Sequence, residues 1–571
     1  MPKVTFQSKL VPLLILICMG CVTSIVIAGW MSFWTDSEMW NAVVVRDLFA
    51  RIPYYDFSVK PLFNLLLWLN FKLAELLSVH PMEVARACFA LNAILVLAMF
   101  FWLSRRLAQS FYGALLLTAL VACNSFFIKR FINVRSDVLV TTLILALMCL
   151  STTGWWSRLR PVARVFVYSC FLAFSLALTP KAIFPVGIWA LIFLLHDLRK
   201  VFSGRKPIFG MIVAFCAFLL YLLRNWHATQ FFLRSFRGGD DPPYWSLMRL
   251  EHVDRLLWEN LIVAPLLIMS LLASTWFRSR IPRSILRYFD YASALTVLLA
   301  FYPDRLPFFI ASLLPFIYLP LAAAWPELLK VTSIKRTNWR RASTMVWAFC
   351  VVSCLYWSAF LIFCHNNELQ RQYISWIERQ PLDEADVRIY DSVGILPFSH
   401  KSFMWYVGPS EAGNGSVFDS ILRSKVEVIP YTSRLMFLGP KLWDYLRENY
   451  TSDFTGLFVR KYEAHLTTSR VNSGVLREIL VDKFPQFTDS AKKVYVRLMT
   501  KSGIDLTHHA QWVDSGGHKV DFNGEITMAN LQAYKQLIVP PTASELTMVP
   551  IQLTSPSNLN WMDLFRFDSE I

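Results

Sequence analysis

The stretch TDSEMWNAVVVRDLFARIPYYDFSVKP, residues 35–61, follows the first long apolar run of the chain and is dense in ionisable side chains. They are Asp36, Glu38, Arg46, Asp47, Arg51, Asp56 and Lys60. A carboxylate beside a hydrophobic wall loses hydration, which costs free energy unless another group binds it or uses it. The charge density therefore predicts a functional site at a membrane surface, with residues 35–61 as its floor.

The composition around this stretch is that of a polytopic membrane protein. The chain has 571 residues, of which 55% are hydrophobic, 15% aromatic and only 17% charged, and its mean hydropathy is +0.42. Soluble chains of this length do not have such a composition. The net charge of +16 is concentrated in short loops between apolar runs, as the positive-inside rule expects, and this argues against a nucleic-acid partner.

Apolar runs of spanning length predict about eleven transmembrane helices in an α-helical membrane domain covering residues 1–365. The first run lacks a small-residue cleavage site and is interpreted as an uncleaved signal anchor. The runs lie at 10–34, 87–104, 110–128, 138–154, 163–179, 182–196, 208–223, 258–277, 288–302, 306–326 and 343–364.

Loop charge predicts the orientation of these spans. With the N-terminus in the cytoplasm, five successive cytoplasmic loops are basic, beginning with Arg105 and Arg106. The first outer loop, 35–86, and everything after 365 then lie outside. This parity requires 61–77, PLFNLLLWLNFKLAELL, to be an amphipathic helix in the membrane interface, because Asn64, Asn70, Lys72 and Glu75 interrupt its apolar character.

The last part of the chain, residues 366–571, changes character and predicts an extramembrane α/β domain. Strand-like alternation occurs at 387–396, 425–431 and 493–499, and helical patterns occur at 440–450 and 475–484. The orientation places this domain outside, which is the periplasm if the membrane is a bacterial inner membrane.

Charged residues at the outer ends of the spans are the candidates for chemistry. Taken singly, each has a structural explanation, such as a helix cap, a snorkelling lysine or a surface ion pair. Acids that face outward are suitable ligands for a divalent cation, yet no compact His/Asp/Glu motif specifies one, so metal use stays open. The candidates in chain order are Asp36, Glu38, Lys60, Arg135, Asp137, Lys181 and Arg305.

The order of these features resembles the GT-C glycosyltransferases that use polyprenyl-phosphate sugars, above all the lipid A aminoarabinose transferase and protein O-mannosyltransferase group. The resemblance covers roughly residues 10–365. Its segments are WTDSEMWNAVVVRDLFARIPYYDFSVKPLFNLLLW, NVRSDVLVTTLILAL, LTPKAIFPVGIWAL and PDRLPFFIASLLPFIYLPLAAA. One departure, Leu62 in place of a second proline after Lys60-Pro61 and no acid before them, argues against aminoarabinose as the sugar.

The resemblance implies a transferase that moves a sugar from a lipid-phosphate donor to a hydroxyl of a lipid, glycan or protein, with inversion at the anomeric carbon. Asp36 is then the general base, and Asp137 orients the acceptor or assists a cation. The leaving phosphate requires fixed cations. The expected phosphate ligands are Lys60 first, then Arg305, Lys181 and Arg135, and the expected acceptor or substrate contacts are Glu38, His227 and His252.

Other functions compatible with a polytopic chain are a lipid-linked glycan polymerase or ligase, a transporter, and a sensor anchored by its membrane part. A transporter would place acids and bases inside several spans and would show paired repeats. Here the charges stand at span ends and no repeat is visible. About eleven spans are also far more than an anchor needs, so the sequence favours the transferase.

Overall fold

The structure is a computed structural model, and contacts between Cα atoms divide the chain into two compact units. They are the helical unit, Met1–Asn367, and the C-terminal unit, Glu368–Ile571. The residues that the structure describes are 5–32, 34–35, 38, 45, 60–179, 182–194, 272, 276, 278–280, 283–301, 308–331, 336–364, 366–368, 370–371, 389–391, 402–404, 426, 428–430, 440–452, 457–484 and 493–549.

The described part of the helical unit consists almost entirely of helices. They are α1 (Thr5–Met31), α2 (Pro61–Leu77), α3 (Pro81–Ala108), α4 (Phe111–Ala122), α5 (Ser125–Phe131), α6 (Ser136–Ser151), α7 (Gly154–Arg158), α8 (Pro161–Leu178), α9 (Ile183–Trp189), α10 (Arg283–Phe301), α11 (Phe308–Ile317), α12 (Leu319–Val331) and α13 (Arg336–Ala359). Single π-helical turns extend α9 over Ala190–Leu194 and α13 over Phe360–Cys364.

Three helices among the described residues are long and apolar enough to cross a membrane, and the chain is an integral membrane protein. These helices are Pro81–Ala108, Pro161–Leu178 and Thr344–Cys364. The predicted total of about eleven spans is not confirmed. The predicted run 208–223 lies outside the described residues, only 272 and 276 of the run 258–277 are described, and α6 has only 16 residues.

One predicted span is bent. The prediction was a single run over 110–128, whereas α4 and α5 meet at an angle of 67° and α5 continues to Phe131. Asn124 stands at the break, and its side-chain oxygen accepts a hydrogen bond from the Phe126 amide at 2.9 Å. Asparagine is a strong helix N-cap, so the local sequence starts a new helix in the middle of an apolar run.

Helices α3 and α6 run parallel to each other, as side-chain contacts along their length demonstrate. Thr142 donates to the side chain of Asn92 at 2.8 Å, and Cys149 donates to the Met99 carbonyl at 3.4 Å. Near the ends of the two helices, Arg106 donates to the Thr152 carbonyl. Because the chain leaves α3 at one end and enters α6 at the other, the bent pair α4–α5 crosses the unit once and provides a fourth span.

Helix α2 begins and ends where the amphipathic helix was predicted. Pro61 suits the first turn of the helix, because proline lacks the backbone N–H that has no helical partner there. Ser78 ends the helix with a left-handed backbone conformation, φ +52°. One face is buried through Phe63, Leu67 and Phe71, together with Asn64 and Ala74. The opposite face exposes leucines: Leu65, Leu66, Leu69, Leu73, Leu76 and Leu77.

Helices α1 and α3 approach each other closely at Gly29. A Cβ placed on Gly29 would lie 2.6 Å from the Cβ of Ala90 and 3.3 Å from the Arg86 carbonyl oxygen. Small residues let membrane helices approach closely, since packing rather than burial of apolar surface drives their association. Gly29 therefore sets the position of α3, the helix that carries Arg86.

The C-terminal unit is rich in strands and also contains helices, in keeping with the predicted α/β character. The strands are β1 (Ile389–Asp391), β2 (Ser402–Met404), β3 (Val428–Pro430), β4 (Tyr450–Ser452), β5 (Leu457–Arg460), β6 (Tyr462–His465), β7 (Arg470–Asn472), β8 (Lys493–Thr500), β9 (Gln511–Asp514), β10 (Lys519–Asp521), β11 (Glu525–Thr527), β12 (Tyr534–Ile538) and β13 (Ala543–Val549). The helices are α14 (Pro440–Asn449), α15 (Ser473–Lys483) and α16 (Met528–Ala533). The predicted helices at 440–450 and 475–484 correspond to α14 and α15.

The strands form three sheets. A mixed sheet has the order β2-β1-β3-β5-β4, with β1 parallel to both β2 and β3. Two sheets of four strands, β10-β9-β12-β7 and β11-β8-β13-β6, are antiparallel. The four-stranded sheets enclose one apolar core, to which Trp512 of one sheet, Leu546 of the other and Leu480 of α15 contribute.

Candidate active site at one end of the helical unit

Three segments that are far apart in sequence meet at one end of the helical unit. They are the end of α1 with the residues after it, the first turns of α3, and the turn between α5 and α6. Arg86 of α3 donates to the Ser32 hydroxyl at 2.5 Å and to the Glu38 carboxylate at 2.5 Å. The Val134 amide donates to the same carboxylate at 2.6 Å.

The Glu38 carboxylate is the centre of this junction. Its Oε2 accepts from the Thr35 amide at 2.9 Å, from the Thr35 hydroxyl at 3.0 Å and from Arg86 Nη2, whereas Oε1 accepts from Val134. Glu38 is 0% exposed and Arg86 is 1% exposed. A buried ion pair is stable only if further hydrogen bonds satisfy its remaining polar atoms, and the Glu38 oxygens have such bonds.

Trp34 and His80 fix the same junction from a second side. Their rings stack with centroids 4.8 Å apart and an interplanar angle of 13°. His80 Nδ1 also accepts from the Met82 amide at 3.3 Å and caps α3. Because Trp34 is completely buried, the stack fixes the chain that leaves α1 against the start of α3.

Asp137 and Arg135 stand at the N-terminus of α6, directly after the turn that contains Val134. Arg135 is the N-cap residue, and Asp137 lies in the first turn, where the helix dipole favours a negative charge. The Arg135 Nη2 and Asp137 Oδ2 atoms are 3.5 Å apart, and the two side chains are 14% and 10% exposed. Both charged side chains are therefore largely buried at the start of α6.

Lys60 stands at the start of α2 and is half-buried. Its Nζ lies 6.0 Å from the ring centroid of Phe63. Phe63 in turn packs edge-on against Phe89 of α3, with centroids 6.4 Å apart. Since Phe89 is about one turn from Arg86, Lys60 belongs to the same end of the unit as the Glu38 junction.

The opposite end of the unit is basic. Arg105 and Arg106 end α3, and Arg158 and Arg160 lie between α6 and α8. The guanidinium of Arg106 lies 4.2 Å from the Trp102 ring centroid. Arg105 follows Arg86, the partner of Glu38, by 19 residues of α3, so the arginines and the Glu38 carboxylate are about 29 Å apart along the helix, which is about the hydrocarbon thickness of a bilayer.

The structure brings together part of the predicted set. Lys60, Glu38, Arg135 and Asp137 lie at one end of the helical unit, on segments that contact one another or share α3 as a neighbour. The contacts of Glu38 favour a role in holding segments over the predicted contact with an acceptor. The predicted Asp36, Lys181, His227, His252 and Arg305 lie outside the described residues.

Arg86 and His80 are site residues that the sequence analysis did not select. Each had a local signal: an arginine close to the start of a long, mostly apolar helix, and a histidine immediately before a proline. No group of three or more His, Cys, Asp or Glu residues that could hold a metal ion occurs within the described part of the chain.

No protein-family model matches the chain, and no curated protein sequence matches it. Solved structures do match. ArnT from Cupriavidus metallidurans in the apo state is 14% identical with a TM-score of 0.51, and covers 79% of this chain and 98% of that chain. ArnT from the same organism bound to undecaprenyl phosphate is 13% identical, with the same TM-score of 0.51 and the same coverage of 79% and 98%.

A third solved structure is the Archaeoglobus fulgidus oligosaccharyltransferase in complex with Zn and sulfate. It is 11% identical, with a TM-score of 0.41 and coverage of 90% of this chain and 76% of that chain. The ArnT comparisons confirm the expected fold: the chain has a GT-C fold.

Proposed function

We propose that the chain is a membrane glycosyltransferase that moves a sugar from a polyprenyl-phosphate donor to a hydroxyl of a lipid, glycan or protein acceptor. The observation that carries the proposal is the set of charged residues at one end of an ArnT-like helical unit: Lys60, Glu38, Arg86, Arg135 and Asp137. The ArnT structure that contains undecaprenyl phosphate supports the class of donor.

The donor phosphate is the first chemical requirement of this reaction. Breaking the sugar–phosphate bond leaves negative charge on a lipid phosphate, and preorganised cations stabilise that charge. Lys60 is the first ligand in the proposal, because the fixed start of α2 holds it beside α3. Arg305, Lys181 and Arg135 complete the set.

The acceptor hydroxyl is the second requirement. A carboxylate that accepts its proton during attack contributes roughly 10²–10⁴-fold in rate. We assign this general base to Asp36, which stands in sequence between Thr35 and Glu38, and we assign orientation of the acceptor to Asp137. Attack on the side of the anomeric carbon opposite the leaving phosphate inverts its configuration. His227 and His252 remain proposed substrate contacts.

The proposal includes an orientation in the bacterial inner membrane. The end of the helical unit that carries Arg105, Arg106, Arg158 and Arg160 faces the cytoplasm, as the positive-inside rule favours. The end with Glu38 and Asp137 then faces the periplasm, and so does the C-terminal unit. The exposed leucine face of α2 lies at the periplasmic surface of the inner membrane, where an amphipathic helix buries such a face among lipids.

Mass spectrometry of lipid-linked sugars and envelope glycans tests the proposal in cells. Cells without the protein are expected to lose one sugar from an envelope glycan, lipid or protein and to accumulate the corresponding polyprenyl-phosphate sugar. The Asp36→Asn variant, inserted in the membrane at the wild-type level, is expected to give the same profile. Glu75→Gln, which changes an exposed ion pair on α2, is the matched control and should restore the sugar.

Two results would contradict the proposal. If the envelope and the pool of lipid-linked sugars are unchanged in the absence of the protein, the proposed transferase function is wrong. Loss of a whole glycan chain rather than of one sugar would instead indicate a lipid-linked polymerase or ligase. A sugar that persists in the Asp36→Asn strain would exclude Asp36 as the base and leave the transferase function standing.

A further inference from the structure

The Glu38 carboxylate connects the two chain segments that carry the proposed catalytic acids. Asp36 stands in sequence between Thr35 and Glu38, and both of these residues belong to the carboxylate cluster. Asp137 stands three residues after Val134, whose amide donates to Glu38 Oε1 at 2.6 Å. One side chain thus ties the segment after α1 to the segment before α6, although 96 residues separate Glu38 from Val134.

The surroundings of Glu38 suit a fixed structural anchor and do not suit a substrate ligand. The residue is 0% exposed, and donors from Thr35, Arg86 and Val134 occupy both oxygens. A carboxylate that bound a sugar hydroxyl would have to give up one of these donors and leave it unsatisfied in the interior, at a cost of about 1–3 kcal/mol.

Arg86 links the Glu38 carboxylate to Ser32, the residue directly after α1. It donates Nη2 to Glu38 and Nη1 to the Ser32 hydroxyl at 2.5 Å. Arg86 belongs to α3, and Phe89, about one turn further along that helix, contacts Phe63 near Lys60. The Glu38–Arg86 pair therefore lies between the segments of both proposed acids and the helix that supports the proposed phosphate ligand.

We propose that Glu38 is a positioning residue: paired with Arg86, it holds Thr35 and Glu38, on either side of Asp36 in sequence, in a fixed relation to residues 133–137, so that Asp36 and Asp137 act on one acceptor. The proposal deepens the transferase function and rests on it for its catalytic consequence. Its physical part, the coupling of the two segments through one carboxylate, does not depend on which reaction the protein catalyses.

Hydrogen–deuterium exchange of the purified full-length protein in lipid nanodiscs tests the physical part. Glu38→Gln removes the charge and turns one acceptor into a donor, so it cannot satisfy Arg86, Thr35 and Val134 together. We expect backbone amides in both 34–38 and 132–137 to exchange about tenfold faster, which is the equivalent of one lost hydrogen bond. Glu75→Gln, the same change in an exposed ion pair, should leave both segments unchanged.

Glu38→Asp provides a second variant in case Glu38→Gln does not fold. It keeps the negative charge beside Arg86 but shortens the side chain by one methylene, so the carboxylate cannot reach both Arg86 and Val134. Faster exchange in 132–137 with unchanged exchange at the far end of α3 supports the proposal. Faster exchange confined to 34–38 in either variant overturns it, because the two segments would then be independent.

A transfer assay with the double variant Glu38→Gln/Arg86→Met separates positioning from stability. Removing both charges avoids an unpaired buried charge, so the double variant should unfold at a higher temperature than Glu38→Gln alone. If Glu38 positions the acids, kcat stays about 10²-fold below wild type in both variants with nearly unchanged KM for the donor, since small misplacements of reacting groups cost this much. Recovery of kcat together with thermal stability would overturn the positioning role.

The two arms distinguish the two proposals. Wild-type protein that transfers no sugar from any polyprenyl-phosphate donor contradicts the proposed function, while the exchange experiment still decides whether Glu38 couples the two segments. Wild-type transfer with no coupling in the exchange experiment contradicts the positioning role alone.

Discussion

The buried carboxylate of Glu38 and the half-buried ammonium of Lys60 have different environments at the same end of the helical unit. Glu38 has no contact with solvent, and Arg86 supplies its compensating charge. The Nζ of Lys60 lies 6.0 Å from the ring centroid of Phe63, and its positive charge is suited to an incoming anion. Glu38 is therefore proposed to position the site, and Lys60 is proposed to bind substrate.

Replacing Lys60 by glutamine is expected to weaken the binding of undecaprenyl phosphate. The loss of a charge-assisted hydrogen bond, worth about 1.5–3 kcal/mol, corresponds to a roughly 10- to 100-fold higher Kd. Native mass spectrometry or microscale thermophoresis in nanodiscs measures this Kd. Lys72→Gln, on the same helix but in an exposed pair with Glu75, should leave it unchanged, and equal losses in both variants would exclude a specific role for Lys60.

Contact between α1 and α3 positions the site at the scale of secondary-structure elements. Gly29 allows the two helices to approach at the level of Arg86 and Ala90, and the Arg86 contacts with Ser32 and Glu38 follow from that approach. The bend between α4 and α5 then brings the chain back to this end, where the turn after α5 presents Val134 to Glu38.

Gly29→Val is expected to destabilise the protein by about 1–3 kcal/mol, because side-chain atoms forced into a filled helix contact displace the backbone. Gly20→Val is the matched control on the same helix, since a Cβ at Gly20 meets no atom within 4 Å. Thermal unfolding in detergent, followed by the change in tryptophan fluorescence, measures the difference. Equal midpoints for the two variants would show that the α1–α3 contact is looser than the structure indicates.

The sequence predicted elements that have a strong local signal. The run at 163–179 corresponds to α8 (Pro161–Leu178), and the interfacial helix at 61–77 has the predicted bounds. The bend at Asn124 was missed, because a single capping residue was outweighed by the apolar run around it. The Glu38–Arg86 pair was missed because its partners are 48 residues apart, and no periodicity connects residues across that distance.

At the scale of the whole helical unit, the two ends differ in charge: one carries arginines such as Arg105 and Arg106, and the other carries the ion pairs Glu38–Arg86 and Arg135–Asp137. Arg105 and Arg106 stand at one end of α3, and the Glu38 carboxylate is bound at Arg86, 19 residues before Arg105 and about 29 Å away along the helix. Basic loops of membrane proteins stay preferentially on the cytoplasmic side, so the positive-inside rule favours one orientation of this unit. The proposed chemistry then occurs on the outer face, where a lipid-linked donor is held by its isoprenoid chain.

Epitope tags test this orientation directly. A tag inserted at Ser157, between α6 and α8, is expected to be inaccessible to antibody in intact spheroplasts and accessible after permeabilisation. A tag in the exposed turn at Gly516 and Gly517 of the C-terminal unit is expected to be accessible in both. The reverse pattern would contradict the orientation, and accessibility of both tags before permeabilisation would contradict the assignment of Ser157 to the cytoplasm.

The most direct test of the central claim is an assay of the purified protein in nanodiscs with polyprenyl-phosphate sugars and envelope acceptors, in which free polyprenyl phosphate is measured over time. Wild-type protein is predicted to release polyprenyl phosphate in a one-to-one ratio with glycosylated acceptor, and Asp36→Asn is predicted to release roughly 10²–10⁴-fold less per unit time. Absence of release by wild-type protein with every donor and acceptor from its own envelope would contradict the claim that the chain is a glycosyltransferase.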